Sequence, residues 1–247
     1  MFRVKICGIT TPEDALAAAT AGADAVGLNF FPGSSRFIHR ATAQKIVDVL
    51  KSQFGESVTP IGVFVNASIE EVAETIQILS LRWIQLHGNE NVDYIAQLQK
   101  QFGGKLRILR AFRPRSWEDL KEIAHFAREC KAYNIPLQAV LIDAATGSAF
   151  GGTGQLAAWD LAARYREAFE GQSPLPLVLA GGLTPENVAE AIRSVRPDGV
   201  DTASGVEIAP GRKDPVKIKA FVQAAHQAFE ALSRFRLLSD GSTLGKS

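Results

Sequence analysis

Short apolar runs alternate with amphipathic stretches along almost the whole chain. The runs at 3–7, 24–30, 59–65, 82–86, 105–112, 138–142, 176–180 and 198–201 are rich in Val, Ile, Leu and Phe. Most lack the every-other-residue polar pattern of a half-exposed strand, so they suit strands covered on both faces, as in a parallel sheet. Helices are expected between them, over 11–21, 42–53, 68–79, 90–102, 116–133, 156–169, 185–194 and 215–233. Several carry start signals. Thr11-Pro12-Glu13-Asp14 places a capping hydroxyl before a proline at the first helical position, and Thr184-Pro185-Glu186 and Asp214-Pro215 repeat the device. Ser68-Ile69-Glu70-Glu71 reads as a capping box. Ser116 caps a helix whose Trp117, Leu120, Ile123, Ala124 and Ala127 share one face.

Eight βα units with no linker between them point to one closed α/β architecture, a (β/α)8 TIM barrel. The rival, a doubly wound open sheet, usually carries a glycine-rich first turn. Here that turn is Cys7-Gly8-Ile9-Thr10, with no G-x-G-x-x-G. A single barrel domain is expected over 1–233. Residues 234–247 show no apolar periodicity after Leu238 and are expected to form a mobile tail.

The composition adds exclusions. With 46% hydrophobic and 21% charged residues over 247 positions, the chain is neither disordered nor fibrous. Lys+Arg 27 against Asp+Glu 26 gives a formal charge of +1, so no broad basic field invites nucleic acid and any anion must be held by a local site. Cys7 and Cys130 make no disulfide framework and suit a reducing compartment. The histidines at 39, 87, 125 and 226 are far apart in sequence, and no Cys/His spacing suggests structural zinc. No apolar run approaches the roughly 20 residues of a membrane span. The first residues read directly as a strand rather than a leader, and a cytoplasmic location is expected.

In a (β/α)8 barrel the chemistry sits at the C-terminal ends of the strands. The reactive residues expected there are Cys7, Arg36, His87, Asp143, Gly181-Gly182 and Asp201. A thiol at a strand end is a usable base or nucleophile after a modest pKa shift, though a free cysteine is also a common buried hydrophobe. Asp143 follows Gln138 to Ile142, and partial burial at the rim is expected to raise its pKa and suit it to general acid work. Ala180-Gly181-Gly182-Leu183 leads into an expected helix start. With Ser204-Gly205 in the next loop it suits a phosphate held by backbone N–H groups. Phe150-Gly151-Gly152-Thr153-Gly154 reads as a lid or ligand-hugging loop, or as an ordinary surface loop. Arg36 offers a fork for a carboxylate. His87 and Asp201 could each be ligand contacts, but read slightly more readily as plain rim hydrogen bonds.

Taken in order, several segments resemble the phosphoribosylanthranilate isomerase family of tryptophan biosynthesis. They are Val4 to Thr10, Gly22 to Gly27, Pro32 to Arg36, Gly62 to Asn66, Gln85 to Gly88, Gly151 to Gly154, Ala180 to Leu183 and Val200 to Glu207. The resemblance runs to about residue 230. It implies a cofactor-free and metal-free Amadori rearrangement of N-(5-phosphoribosyl)anthranilate, with Asp143 as general acid and Cys7 as general base. It also implies Arg36 facing the anthranilate carboxylate and Gln85, His87 and Asp201 contacting substrate. Gly152, Gly181, Gly182, Ser204 and Gly205 would hold the phosphate. The implied partner is a small phosphorylated aminosugar, not nucleic acid or membrane. The chain departs from the family pattern where Gln155-Leu156 follows the glycine loop in place of a Lys and an aromatic, and where Ala203 stands for a frequent Ser.

Two rivals remain on the sequence. The histidine-pathway sugar isomerase performs the same rearrangement on a barrel, but it uses an Asp where this chain has Cys7 and carries two phosphate sites. Loop 3 here, Val65-Asn66-Ala67-Ser68, lacks a Gly-Gly partner to loop 7. A non-catalytic phosphometabolite sensor would have no reason to hold both Cys7 and Asp143.

Overall fold

Each of the eight apolar runs folds as a strand in the computed structural model, which describes residues 1–144 and 159–241, with side chains up to residue 234. The strands are β1 (Val4–Cys7), β2 (Ala25–Asn29), β3 (Thr59–Phe64), β4 (Trp83–Leu86), β5 (Arg107–Phe112), β6 (Ala139–Asp143), β7 (Leu177–Ala180) and β8 (Gly199–Thr202). All are parallel to their neighbours, and β8 pairs back onto β1, closing the barrel. The (β/α)8 expectation therefore holds. The helices between them are α1 (Pro12–Ala21), α2 (Arg40–Phe54), α3 (Ile69–Leu79), α4 (Val92–Gln101), α5 (Trp117–Ala132), a helical stretch over 159–163 (α6), α7 (Val188–Val195) and α8 (Pro215–Gly241). A 3-10 turn, Tyr165–Phe169, follows α6. A short hairpin of β9 (Glu207–Ala209) and β10 (Arg212–Lys213), which the sequence pattern does not predict, follows β8.

The two-residue period of a strand separates the barrel's two faces. Val4, Ile6, Val26, Leu28, Ile84, Leu86, Val140, Ile142 and Leu179 pack outward with the helices in one large apolar layer. Ala25, Ile61, Trp83, Leu109, Ala111, Ala139, Leu141, Val178 and Ala180 form a second cluster with Phe2, in the barrel's interior. Each fully buried Val, Leu or Ile contributes about 1.5–3 kcal/mol relative to exposure, so both layers favour this one register. Stepping two residues on from an interior position reaches the upper rim. Trp83 leads to Gln85 and His87, Leu109 to Ala111 and Arg113, and Leu141 to Asp143. The interior is thus apolar below and polar above. Lys5 breaks this layering, because it lies in register with Ala25 and Asp201 yet is fully buried.

Most helix starts follow the expected chemistry. Thr11 accepts from the Asp14 N–H at 3.1 Å and Ser116 makes a full capping box with Asp119, whereas Ser68 accepts from the Glu71 N–H at 3.1 Å and forms only that half of its expected box. Two ends differ from expectation. The Thr184-Pro185 signal does not start α7, which begins at Val188. Asn187 accepts from the Thr184 N–H at 2.8 Å and donates to the Gly182 carbonyl at 3.0 Å, locking residues 184–187 as a turn. The last helix does not stop at 233 but runs to Gly241, because Phe235 to Asp240 contains no Gly or Pro to end it. The expected tail begins within that helix, and its residues 242–247 lie outside the described residues, as do 145–158. Among the described residues no helix is long and apolar enough to cross a membrane.

Candidate active site

The C-terminal ends of the strands surround a bowl of about 430 Å³. Cys7, Arg36, Gln85, His87, Asp143, Gly181, Gly182, Asp201 and Ser204 all line it. The barrel therefore gathers, from strands far apart in sequence, most of the side chains expected to carry chemistry.

Cys7 ends β1 opposite Gly27 of β2. Two positions below it Lys5 is fully buried, and its Nζ lies 2.9 Å from Asp201 Oδ1. Burial works against the Lys5 charge, but Asp201, with Cys7 behind it, more than offsets that and raises its pKa above the usual lysine value. Asp201 is pushed up by burial more than Lys5 draws it down. We take the pair as ionised, since 2.9 Å suits a charge-assisted bond and Lys5 keeps its proton. Burial likewise pushes the Cys7 thiol up, while Lys5 pulls it down. Removing one partner of such a buried pair typically costs about 3–5 kcal/mol.

Asp143 faces a different environment. Arg113, at the end of β5, donates from Nε to Asp143 Oδ2 at 2.9 Å, and His87 Nε2 stands 3.6 Å from the same oxygen. Burial pushes the Asp143 carboxyl up, but the bonds from His87 and Arg113 outweigh it and hold it below the usual carboxylate range. This corrects the expectation that the rim raises its pKa. Two cationic or donor groups reach Asp143 from neighbouring strands, and a sequence reading of its own strand does not reveal them. Gln85 Nε2 lies 3.0 Å from His87 Nδ1, while Gln85 Oε1 is buried without a partner among the described residues. A buried acceptor left unsatisfied costs about 1–3 kcal/mol, so this atom is ready for a donor from a bound molecule.

Arg36 meets the bowl from the loop after β2, where Asn29 and Ser34 organise the chain. The Phe31 N–H donates to Asn29 Oδ1 at 2.8 Å, and the Arg36 N–H donates to Ser34 Oγ at 3.1 Å. The Arg36 side chain crosses Gly8, whose φ of +72° and lack of Cβ leave it room. Its fork is already engaged, with Nε and Nη2 donating to the two Glu207 oxygens at 2.7 and 2.8 Å. Lys213 Nζ donates to Glu207 at 3.0 Å and to the Ala203 carbonyl at 2.9 Å. Burial raises the Glu207 carboxyl, but Arg36 and Lys213 outweigh it and hold it below its usual range. Any ligand carboxylate must therefore share Arg36 with Glu207.

Loop 7 supplies the expected glycines. Gly181 and Gly182 have φ of +94° and +65°, a conformation that side chains with a Cβ rarely adopt. The helix behind them starts late, so its dipole adds less at Gly181-Gly182 than the sequence suggests. Ser204 lines the bowl. Gly205 stands behind it, where a Cβ would collide with the Leu183 carbonyl, and Thr202 Oγ1 ties the same carbonyl at 2.7 Å. Gly152 lies outside the described residues.

Sequence reasoning missed Lys5, Arg113, Glu207 and Lys213. A lysine inside the run Val4-Lys5-Ile6 and a basic residue in phase with Leu109 and Ala111 were the available signals for the first two. Nothing local marks Glu207 or Lys213, whose partners come from other loops. Among the described residues no group of three or more His, Cys, Asp or Glu is placed to hold a metal ion.

Comparison with known proteins puts this arrangement in context. A family model for N-(5'phosphoribosyl)anthranilate (PRA) isomerase matches residues 4–224. The N-(5'-phosphoribosyl)anthranilate isomerase of Trichlorobacter lovleyi is 43% identical over 228 residues, covering 92% of this chain and 100% of that protein. The protein of the same name from Neisseria meningitidis serogroup C is 40% identical over 226 residues, covering 92% and 97%. The crystal structure of the Thermotoga maritima phosphoribosyl anthranilate isomerase superposes with a TM-score of 0.73 at 35% identity, covering 92% of this chain and 100% of that one. A phosphoribosyl anthranilate isomerase in complex with reduced 1-(o-carboxyphenylamino)-1-deoxyribulose 5-phosphate superposes with a TM-score of 0.72 at 36% identity, with the same coverage.

Proposed function

The chain belongs to the N-(5'-phosphoribosyl)anthranilate isomerase family, and from that membership we infer that it isomerises N-(5-phosphoribosyl)anthranilate in tryptophan biosynthesis with Asp143 as acid and Cys7 as base. The observation that carries this reading is that a strand-end carboxyl and a strand-end thiol line one bowl beside a glycine loop suited to an anion. The solved relative with a reduced product-like molecule supports the substrate class. Steady-state assay with the aminosugar tests it. Loss of anthranilate fluorescence on addition of enzyme is expected, and no turnover would refute it.

The reaction needs two proton transfers. Asp143 gives a proton to the furanose ring oxygen while the anilino nitrogen lone pair opens the C1–O bond to an iminium. The Cys7 thiolate takes the proton from C2, leaving an enolamine that tautomerises to the ketone. One proton enters the substrate and one leaves it, so the isomerisation balances and solvent resets the pair. Each positioned transfer is typically worth roughly 10²–10⁴-fold. Gln85 Oε1 accepts a substrate hydroxyl, His87 and Asp201 frame the sugar, and Arg36 meets the anthranilate carboxylate beside Glu207. We place the enzyme in the cytoplasm, where free thiols stay reduced, with the aminosugar rather than nucleic acid or membrane as its partner.

The directions of the two shifts have a kinetic consequence. With Asp143 held low and Cys7 held high, the abundant free form at neutral pH is carboxylate plus thiol. The reacting form is carboxylic acid plus thiolate, with the same proton count. In kcat/KM the acid limb then reports Asp143 and the alkaline limb Cys7, and the plateau height follows the ratio of the two forms. Arg113→Met removes a bond that lowers Asp143, so the acid limb is expected to move to higher pH. A pH profile of kcat/KM checks this, and an unmoved acid limb would detach Arg113 from the acid.

The phosphate reading is tested at Gly182. A valine there must adopt a φ near +65° with a β-branched side chain. Gly182→Val is expected to raise KM by roughly tenfold or more, equivalent to about 1.4 kcal/mol. Inorganic phosphate should compete with substrate in the parent enzyme and much less in the variant. Equal inhibition of both would move the phosphate elsewhere.

A further inference from the structure

A lysine with no exposed surface stands in the middle of a barrel interior that is otherwise apolar at its level. The ammonium has three donors and needs partners for them. Asp201 Oδ1 takes one at 2.9 Å, and the Cys7 thiol, two residues on along the same strand face, lies near enough for thiol and ammonium to affect each other's ionisation. β-strand alternation explains the meeting, since Lys5 and Cys7 share the inward face of β1 and Asp201 is the register partner of Lys5 on β8. The third contributor is an absence. A Cβ on Gly27 would lie 2.6 Å from Cys7 Sγ and 3.1 Å from Lys5 Nζ. The missing side chain therefore leaves one small gap between sulfur and nitrogen, and any other residue would wedge them apart.

We propose that Lys5 is a positioning residue that sets how readily Cys7 gives up its proton, with Asp201 anchoring the ammonium and Gly27 keeping the gap open. This rests on the reading of Cys7 as the base. The alternative is a purely structural pair that pins β1 to β8 at the barrel's closure. The charged groups around the thiol separate the two. Lys5 comes from β1, Asp201 from β8, Lys213 from β10 and Arg36 from the loop after β2, the last two both tied to Glu207. His87 and Asp143 act on Asp201 from β4 and β6. All three cations are held by a carboxylate, and Lys5 is the one placed two residues from the sulfur on the same strand face.

The test uses the full chain in a Cys130→Ala background, so that Cys7 is its one remaining thiol. The pH dependence of Cys7 alkylation by iodoacetamide reads its thiolate directly, without turnover. Lys5→Met alone strands a buried carboxylate and is at risk of misfolding, so the neutral double variant Lys5→Met/Asp201→Asn is used. Asp201→Asn alone leaves the ammonium beside the thiol and should move the alkylation midpoint to lower pH. The double variant should move it to higher pH, by about one unit or more, a tenfold change in thiolate at a given pH. The alkaline limb of kcat/KM should follow upward while the plateau falls. Gly27→Ala should shift the midpoint in the direction of the double variant. A double variant that folds and titrates with the parent would overturn the proposal. If instead Cys7→Ala keeps turnover while the titrations shift as expected, the reading of Cys7 as base falls and the role of Lys5 in thiol ionisation stands.

Discussion

Cys7→Ala is expected to lower kcat by roughly 10²-fold or more while leaving the fold intact. The side chain is small, partly open to the bowl and outside both apolar clusters, so truncation removes little packing. On the proposed mechanism, what it removes is the group that takes the proton from C2. Cys7→Ser should be nearly as poor, because a hydroxyl beside Lys5 is far harder to deprotonate than a thiol. The acid limb of kcat/KM should vanish with the sulfur, leaving a profile that falls as Asp143 loses its proton. The iminium formed in the first step adds positive charge next to the thiolate, so the base is helped most when it is needed. Single-turnover kinetics with near-parent rates in Cys7→Ala would assign the base elsewhere, and circular dichroism would exclude a folding defect as the cause of a loss.

The second large effect belongs to Asp143. Asp143→Asn keeps the shape and still accepts the Arg113 Nε–H through its amide oxygen, yet it has no proton to give to the ring oxygen. A fall in kcat of roughly 10²–10⁴-fold is expected, with a much smaller change in product affinity. The alkaline fall of kcat/KM should disappear, and the residual activity should rise with pH to a plateau above the Cys7 titration, because only the thiolate is then required. The arrangement also explains why Arg113 is placed on an exposed arm. Its side chain is 64% exposed and reaches Asp143 across the bowl, so a substrate entering there competes with it. Loss of that bond leaves His87 alone to oppose burial and raises the acid's pKa at the moment of reaction. Product binding by titration calorimetry beside the kinetic measurement separates the two roles. A proportional loss of affinity and rate would make Asp143 a binding group instead.

Several features were legible in the chain because they are local. Apolar runs of four to six residues, separated by capped amphipathic segments, specify eight strands and their covering helices through periodicity alone. Cys7 and Asp143 were legible because each ends such a run, and a strand's end in this fold is the site's edge. The Gly181-Gly182 conformation was legible because backbone freedom is a property of the residue itself. Tertiary structure decided the rest. The pairs Lys5–Asp201, Arg36–Glu207 and Arg113–Asp143 join residues 196, 171 and 30 positions apart, and they exist because barrel closure and neighbouring strands bring rims together. These pairs set the charge state of the site. They turned the expected raised carboxyl into a lowered one and gave Arg36 an internal partner. They also placed a buried ammonium under the thiol. A side chain's periodicity is written in its neighbours along the chain, but its ionisation depends on neighbours in space, and the closed sheet supplies those.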